Sequence, residues 1–297
     1  MRQIQLARHS VNNFFIVANN VKDVNLEKTK ALAQFLELRG KRCEYTGIER
    51  VFEDENDVLK FAAKIKEDVE AIISLGGDGT LIQVSDIAAK KGIPIIGVNM
   101  GNLGYLCEVE KEKAFEAIEK LINDEYEIEK RMLLSGEMTV ASVKMPKVQA
   151  LNDVVIARKG TLGTISFKVS VNGSALYTCE ADGMIISTPT GSTGYNISAG
   201  GPIVAPYSHG IILTPICAHS MSLRPIVLSC DDEVTVELNR ETSKPDISVE
   251  VSFDGSKTCP MNLSDKVTVK KAYTEVKIIK LNSKSFYEVL SRKMSDR

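Results

Sequence analysis

Up to about Tyr126 the chain alternates short apolar runs with helically spaced apolar positions, and beyond it the pattern shifts to short strand-like runs. Residues 14–18 (Phe-Phe-Ile-Val-Ala) form an unbroken apolar run closed by Asn19 and Asn20, as a parallel strand buried on both faces would. Leu26, Leu32, Ala33, Phe35 and Leu36 then recur at helical spacing until Gly40, a stop signal. Residues 41–45 predict a second strand, and Val58, Phe61, Ala62 and Ile65 mark one face of a second helix. Val69, the run 71–73 and Leu75 lead into Gly76-Gly77-Asp78-Gly79-Thr80, after which Leu81, Val84, Ile87 and Ala88 resume helical spacing. A strand at 93–98, a glycine-rich turn at 99–106 and a helix at 112–123 close this half. Strands alternating with helices predict a parallel sheet covered on both faces, and ligands on such sheets lie outside the carboxyl ends of the strands.

From residue 127 on, the predicted strands lie at 137–143, 149–157, 163–171, 175–179, 211–215, 225–228, 233–238, 247–253, 266–270 and 275–280. Asn172-Gly173 joins two of them as a type I′ hairpin signal. Many short strands at near-regular spacing suggest a sandwich. Phe286, Val289 and Leu290 predict a terminal helix that packs back on the first half. The fold expected is therefore an α/β, Rossmann-like N-terminal domain (1–127 plus 280–297) with a β-rich, sandwich-like C-terminal domain (128–279).

Composition narrows the function classes. With 297 residues, 43% hydrophobic, 26% charged and a net charge of −2, the chain has ample core and no electrostatic footprint for nucleic acid. Six cysteines without a Cys-x-x-Cys spacing read as reduced thiols rather than a zinc site. The first ten residues lack an apolar core segment, so no signal peptide is expected. No apolar run approaches the ~20 residues of a membrane span. A cytoplasmic protein with no membrane or nucleic-acid partner is expected.

Three segments carry candidate chemistry. Strand, glycine loop and helix around residues 76–80 make a geometry in which backbone N–H groups close on an anion. Asp78 repels phosphate, so it acts either as a helix cap in a tight turn, as a base, or through a divalent metal. Neither Gly-x-x-x-x-Gly-Lys-Ser/Thr nor Gly-x-Gly-x-x-Gly occurs, which sets this loop apart from the familiar nucleotide motifs. Asn152 and Asp153 place an amide and a carboxylate inside an apolar run; adjacent strand residues face opposite ways, so one is buried unless the strand bends or starts there. Residues 187–198 hold six Ser/Thr hydroxyls and a tyrosine between Pro189 and Pro202, a loop able to present hydroxyls and N–H groups to phosphate, ribose and adenine. His209 and His219 have no evident acidic partner in the sequence, and His219 reads as a structural residue of its loop.

Taken together these segments resemble the NAD kinases, bacterial type, which phosphorylate the adenosine-ribose 2′-hydroxyl of NAD. The 76–80 loop resembles the signature shared with lipid and sugar kinases of the same superfamily, Asn152-Asp153 resembles the second motif, and 182–202 resembles the long third motif almost throughout. Residues 101–106, 214–219 and 224–227 are similar to further family stretches. The resemblance implies Asp78 as general base and Gly76, Gly77, Gly79 and Thr80 around phosphate. It implies Asn152, Asp153 and Asp182 on the ribose and nicotinamide parts of NAD, with Gly79 close by. Tyr105, Thr193, Gly194, Tyr195 and Ser198 would lie at the adenine. It further implies ATP (or polyphosphate) as donor, Mg²⁺ or another divalent ion with it and no dedicated metal ligands, and a homo-oligomer, dimer or tetramer, with sites that can form across subunits. Gly194 stands where the family commonly has Ala, and Glu180 where many bacterial relatives carry Arg, which bears on NAD-versus-NADH preference. A lipid or sugar kinase would keep Asp78 without the long 182–202 segment; a non-catalytic dinucleotide sensor would keep the pocket and could lose Asp78.

Overall fold

Unbroken apolar runs become parallel strands. In the computed structural model, which describes residues 4–6, 10–49, 52, 55–101, 104–160, 163–220, 222–239, 248–263, 265–281 and 285–295, the chain divides into two compact units, 1–131 with 275–297, and 132–274. In the first, Arg42–Ile48, Asn13–Asn19, Ala71–Gly76 and Ile95–Asn99 lie side by side, all parallel, and Ile278 pairs with Ile95 to add the returning C-terminal segment. Alternate strand residues face opposite layers. Phe14, Ile16, Ile73 and Ile96 pack with Leu32 and Leu36 of helix α1 (Glu27–Glu37) and with Ala117, Ile118 and Leu121 of helix α4 (Ala114–Ile122). Phe15, from the opposite side of its strand, meets Phe61 of helix α2 (Glu55–Ala62) edge to face at 6.4 Å. Each such fully buried aromatic or branched side chain contributes about 1.5–3 kcal/mol of apolar transfer. Helix α3 (Asp78–Lys91) buries Leu81, Val84, Ile87 and Ala88 and ends on Gly92 at φ 69°, with Lys90 and Lys91 in its last turn, complementing the dipole.

The second unit is a two-layer β structure. One antiparallel sheet runs Ile226–Leu228, Ile211–Ile216, Gly183–Ser187, Asp153–Lys159, Ser248–Phe253, Lys257–Met261. Facing it are Ser174–Ala181, Ile165–Val171, Val234–Leu238 and the adjoining part of Lys266–Lys280. Phe167, Val236 and Val267 from one layer and Ile156, Ile186, Leu213 and Phe253 from the other share a single core. The α/β and β-rich architecture matches the sequence expectation, and so does the hairpin: Asn172 and Gly173 both have positive φ, 51° and 77°, as type I′ requires.

Several boundaries differ, for identifiable reasons. Glu127–Val140 is one 14-residue strand, whereas sequence predicted only its end. Charges at Glu127, Glu129, Lys130 and Arg131 hide the first half; there Arg131 pairs with Glu129, and Lys130 with Glu275 at 3.8 Å. The predicted strands 266–270 and 275–280 are one strand, Lys266–Lys280, continuous through an exposed Tyr273. Lys257–Met261 was not expected, because Pro260 and Lys257 disguise it. Ile247, the predicted start of the Ser248–Phe253 strand, lies outside the described residues. The last helix, α6, spans Phe286–Ser295. All six cysteines are free thiols, and no described helix is long and apolar enough to cross a membrane.

Candidate functional site

In the first unit the chain crosses from one flank of the Asn13–Asn19 strand, where Arg42–Ile48 lies, to the other, where Ala71–Gly76 lies. That reversal is a topological switch point, the crevice where such sheets bind ligands. Asn19, Gly76 and Asn99 end three neighbouring strands there. Gly77 is the extended N-cap of α3 and Asp78 its first residue, so an acidic side chain sits at the positive end of the helix dipole.

The Asp78 carboxylate holds the next loop in place. Oδ2 accepts the Tyr105 N–H at 2.7 Å, and Oδ1 accepts those of Leu106 and Cys107 at 3.2 and 3.0 Å. Gly104 makes this approach possible: a Cβ there would stand 1.9–2.4 Å from the carboxylate atoms. Burial, reinforced by the Asp78 charge and hydrogen bond, pushes the Cys107 thiol well above its ordinary pKa, so it is a neutral floor to the site.

The glycines of the loop differ in what faces them. Thr80 is buried with its hydroxyl against Gly76, where a Cβ would stand 2.2 Å from Oγ1. Gly79 faces open space, and Gly77 faces the Lys22 ammonium, 2.8 Å from the position of an added Cβ. Lys22 and the Asn19 turn that carries it were not singled out from sequence. Tyr105 is partly covered: its ring lies 6.4 Å from that of Phe286, and the Lys293 ammonium is 4.9 Å from its centroid. Asn102 and Leu103, in the same turn, lie outside the described residues.

In the second unit the strand bends just before Asp153, which begins Asp153–Lys159. The opposite-faces dilemma is resolved by this bend. Asp254 organises it: its carboxylate accepts the N–H groups of Leu151, Asn152 and Asp153 at 2.7, 2.7 and 3.1 Å. Asp254 itself takes φ 50° in the turn after Phe253, and sequence offered no signal for it beyond Asp254-Gly255. Asp153 is 6% exposed; burial first, and the Asp254 charge second, push its carboxyl up to about 7.

The 187–202 segment is a built loop rather than a linker. Ser187, Thr188, Ser192 and Asn196 are fully buried. Thr188 donates to the Leu151 carbonyl at 2.6 Å and accepts the Gly191 N–H at 3.0 Å; Asn196 Nδ2 donates to the Ser192 and Pro202 carbonyls. Most of its hydroxyls therefore stabilise the loop, and the side left for a ligand is narrower than the composition implied. That side carries Thr193 and Gly194, half-buried, and Tyr195 and Ser198, exposed, on and beside helix α5 (Tyr195–Ser198). A Cβ on Gly194 would lie 3.6 Å from Asn152 Nδ2 and 3.9 Å from Asp153 Oδ2, so Asn152, Asp153 and Gly194 share one spot.

Asp182 does not join them. In the register, Asp153 pairs with Ser187 while Gly183 pairs with Ala157, which puts Asp182 at the far end of the strand, roughly 16 Å away at ~3.3 Å per residue. Asp182 is paired with Arg158 at 3.2 Å, and Glu180 reaches Thr164 at 3.4 Å.

Comparison with known proteins identifies the family. Residues 5–126 match the ATP-NAD kinase N-terminal domain and residues 151–281 the ATP-NAD kinase C-terminal domain. The chain is 39% identical over 289 residues to a protein of Lachnoclostridium phytofermentans named NAD kinase, covering 97% of this chain and 100% of that one. It is 35% identical over 282 residues to an NAD kinase of Caldanaerobacter subterraneus subsp. tengcongensis, covering 95% and 98%. Yeast NADH kinase, solved in complex with NADH, shares the fold, with a TM-score of 0.80 at 19% identity over 98% of this chain and 90% of that one. An NAD kinase from Archaeoglobus fulgidus in complex with ATP gives a TM-score of 0.73 at 25% identity over 96% and 100%. By both of its domains and by near full-length identity to its relatives, the chain belongs to the ATP-NAD kinase family.

Proposed function

We propose that the protein transfers the γ-phosphate of ATP to the adenosine-ribose 2′-hydroxyl of NAD, giving NADP. The observation that carries this reading is Asp78, a carboxylate fixed by three backbone N–H groups at the N-terminus of α3, at the switch point of a parallel sheet. In the step, the 2′-oxygen bonds to the γ-phosphorus, the bond to the β–γ bridging oxygen breaks, and the hydroxyl proton passes to Asp78. The open face of Gly79 and the backbone of Gly76, Gly77 and Thr80 take the phosphates; Thr80 contributes through its N–H, its hydroxyl being packed on Gly76.

Asn152 and Asp153 hold the ribose and nicotinamide parts of the dinucleotide, while Thr193, Gly194, Tyr195 and Ser198 line the adenine. Mg²⁺ enters with ATP as part of the substrate, and neutralises phosphate charge there. The protein works in the cytoplasm as a homo-oligomer, dimer or tetramer. Asp182, far from Asp153 along its own strand, then serves the nicotinamide side of a dinucleotide bound to a second copy.

The test is incubation of purified protein with NAD, ATP and Mg²⁺, with NADP read through an NADP-specific dehydrogenase, and with NADH and polyphosphate in parallel arms. NADP formation is expected with ATP. Folded protein that yields no NADP with either donor would overturn the reading.

A further inference from the structure

The switch point carries a cation that the motif does not include. Asn19 closes the turn after its strand by accepting the Val21 and Lys22 N–H groups on Oδ1, at 3.0 and 3.2 Å, and those of Lys22 and Asp23 on its carbonyl, at 3.0 and 2.9 Å. Asp23 is 4% exposed and ties the turn to α1, accepting the Lys28 and Thr29 N–H groups at 2.9 Å each and the Thr29 hydroxyl at 2.6 Å. Lys22 projects between these two anchors with an exposed side chain.

Its ammonium lies 2.8 Å from where a Cβ on Gly77 would stand and 3.8 Å from that on Gly101. Gly77 caps α3 and Gly101 follows the Ile95–Asn99 strand, so the charge bridges two loops at the carboxyl ends of neighbouring strands. Its field reaches the floor of the site, opposing the rise that burial and Asp78 impose on the Cys107 thiol. Among the described residues no carboxylate pairs with the Lys22 ammonium. A bare cation over a helix N-terminus, beside a glycine that faces open space, is complementary to a polyanion.

We propose that Lys22 binds the terminal phosphates of the phosphoryl donor, a contact that rests on the kinase reading above. As the 2′-oxygen bonds to the γ-phosphorus and the β–γ bridging oxygen leaves, the β-phosphate gains one negative charge; the Lys22 ammonium neutralises it while Asp78 receives the proton. A lysine is a mobile point charge rather than a planar fork, so it suits the phosphates of ATP and of an inorganic polyphosphate alike.

The test uses the full chain with Lys22→Met, which keeps length and loses charge, and Lys22→Arg, which keeps charge. Removing one electrostatic contact of this kind is expected to lower kcat/KM for ATP about 10²-fold. Calorimetric titration with MgATP and with magnesium tripolyphosphate should show affinity about ten-fold weaker for Lys22→Met, with NAD affinity and melting temperature unchanged and Lys22→Arg recovering part of the loss. Wild-type turnover and binding in folded Lys22→Met would overturn the proposal, and so would a loss confined to MgATP. Should the wild type make no NADP, the kinase reading fails, while the two titrations still decide whether Lys22 contacts phosphate.

Discussion

Asp78 and Asp153 both sit where an apolar strand meets a polar loop, and their surroundings differ in sign. Asp78 lies at a helix N-terminus and receives three backbone N–H groups. Asp153 is buried beside a second carboxylate, Asp254, which has itself taken the local N–H groups of Leu151, Asn152 and Asp153. The first environment fixes the carboxylate in one position; the second favours a carboxyl that keeps its proton and can donate a hydrogen bond to a ligand. On the proposed function, the first carboxyl serves transfer and the second recognition.

The largest effect should come from breaking the first environment. Asp78→Asn removes the base and is expected to lower kcat by about 10²–10⁴-fold, measured by steady-state kinetics on protein whose far-ultraviolet circular dichroism matches wild type. Next comes Gly104→Ala, in the turn that the Asp78 carboxylate holds. Its Cβ would stand 1.9–2.4 Å from the Asp78 carboxylate atoms, so either Asp78 or the 104–107 turn must move. A displacement of about 1 Å at a reacting group costs on the order of 10²-fold in rate, and kcat should fall while NAD affinity stays near wild type.

The second environment gives a prediction in pH. The Asp153 carboxyl, ordinarily 3.8, lies at about 7 in the folded protein, so between those values the folded state holds a proton that the unfolded chain has released. Unfolding free energy should therefore fall as pH rises through that window and level off above it. Asp153→Asn should flatten this dependence and raise stability near pH 8 by a few kcal/mol, at roughly 1.4 kcal/mol per pKa unit, while weakening NAD binding. Denaturant melts from pH 4 to 8 would check it. A slope that is unchanged in the variant would contradict the assigned environment.

The smallest effect should be Gly194→Ala. An added Cβ meets the Gly191 carbonyl at 3.2 Å and Asn152 Nδ2 at 3.6 Å, a contact that a few tenths of an ångström would relieve. Stability should change by less than about 1 kcal/mol, and the KM for NAD only a few-fold. A large loss of NAD affinity would mean that Gly194 itself, rather than its neighbours, shapes the pocket.

Sequence reading reached unevenly into this molecule. The parallel strands and the 76–80 loop were legible because Phe14 to Ala18 and Ala71 to Ile73 are buried on both faces and so carry no polar interruption. The partner of Asp78 was not, because Tyr105 to Cys107 meets it only through the fold, 27 to 29 positions along the chain. Asp254 lies 101 residues from the Asp153 N–H it binds and reads locally as a turn. Lys22 sits in Asn19-Asn20-Val21-Lys22-Asp23, a polar stretch that looks like any surface loop until the sheet order puts it at the switch point. The hydroxyls of 187–198 misled in the other direction: their number suggested ligand contacts, whereas Ser187, Thr188 and Ser192 are buried and bonded within the loop and its neighbours.

The most direct measurement follows the phosphate itself. Phosphorus NMR of the product from NAD, ATP and Mg²⁺, run with wild type and with Asp78→Asn at equal concentration, identifies the oxygen that was phosphorylated and the residue that made it reactive. The account predicts a new 2′-phosphate monoester resonance with wild type, growing as the γ-phosphate of ATP declines, and almost none over the same period with the variant. A phosphate on any other oxygen, or a 2′-phosphate that appears as fast with Asp78→Asn, would contradict it.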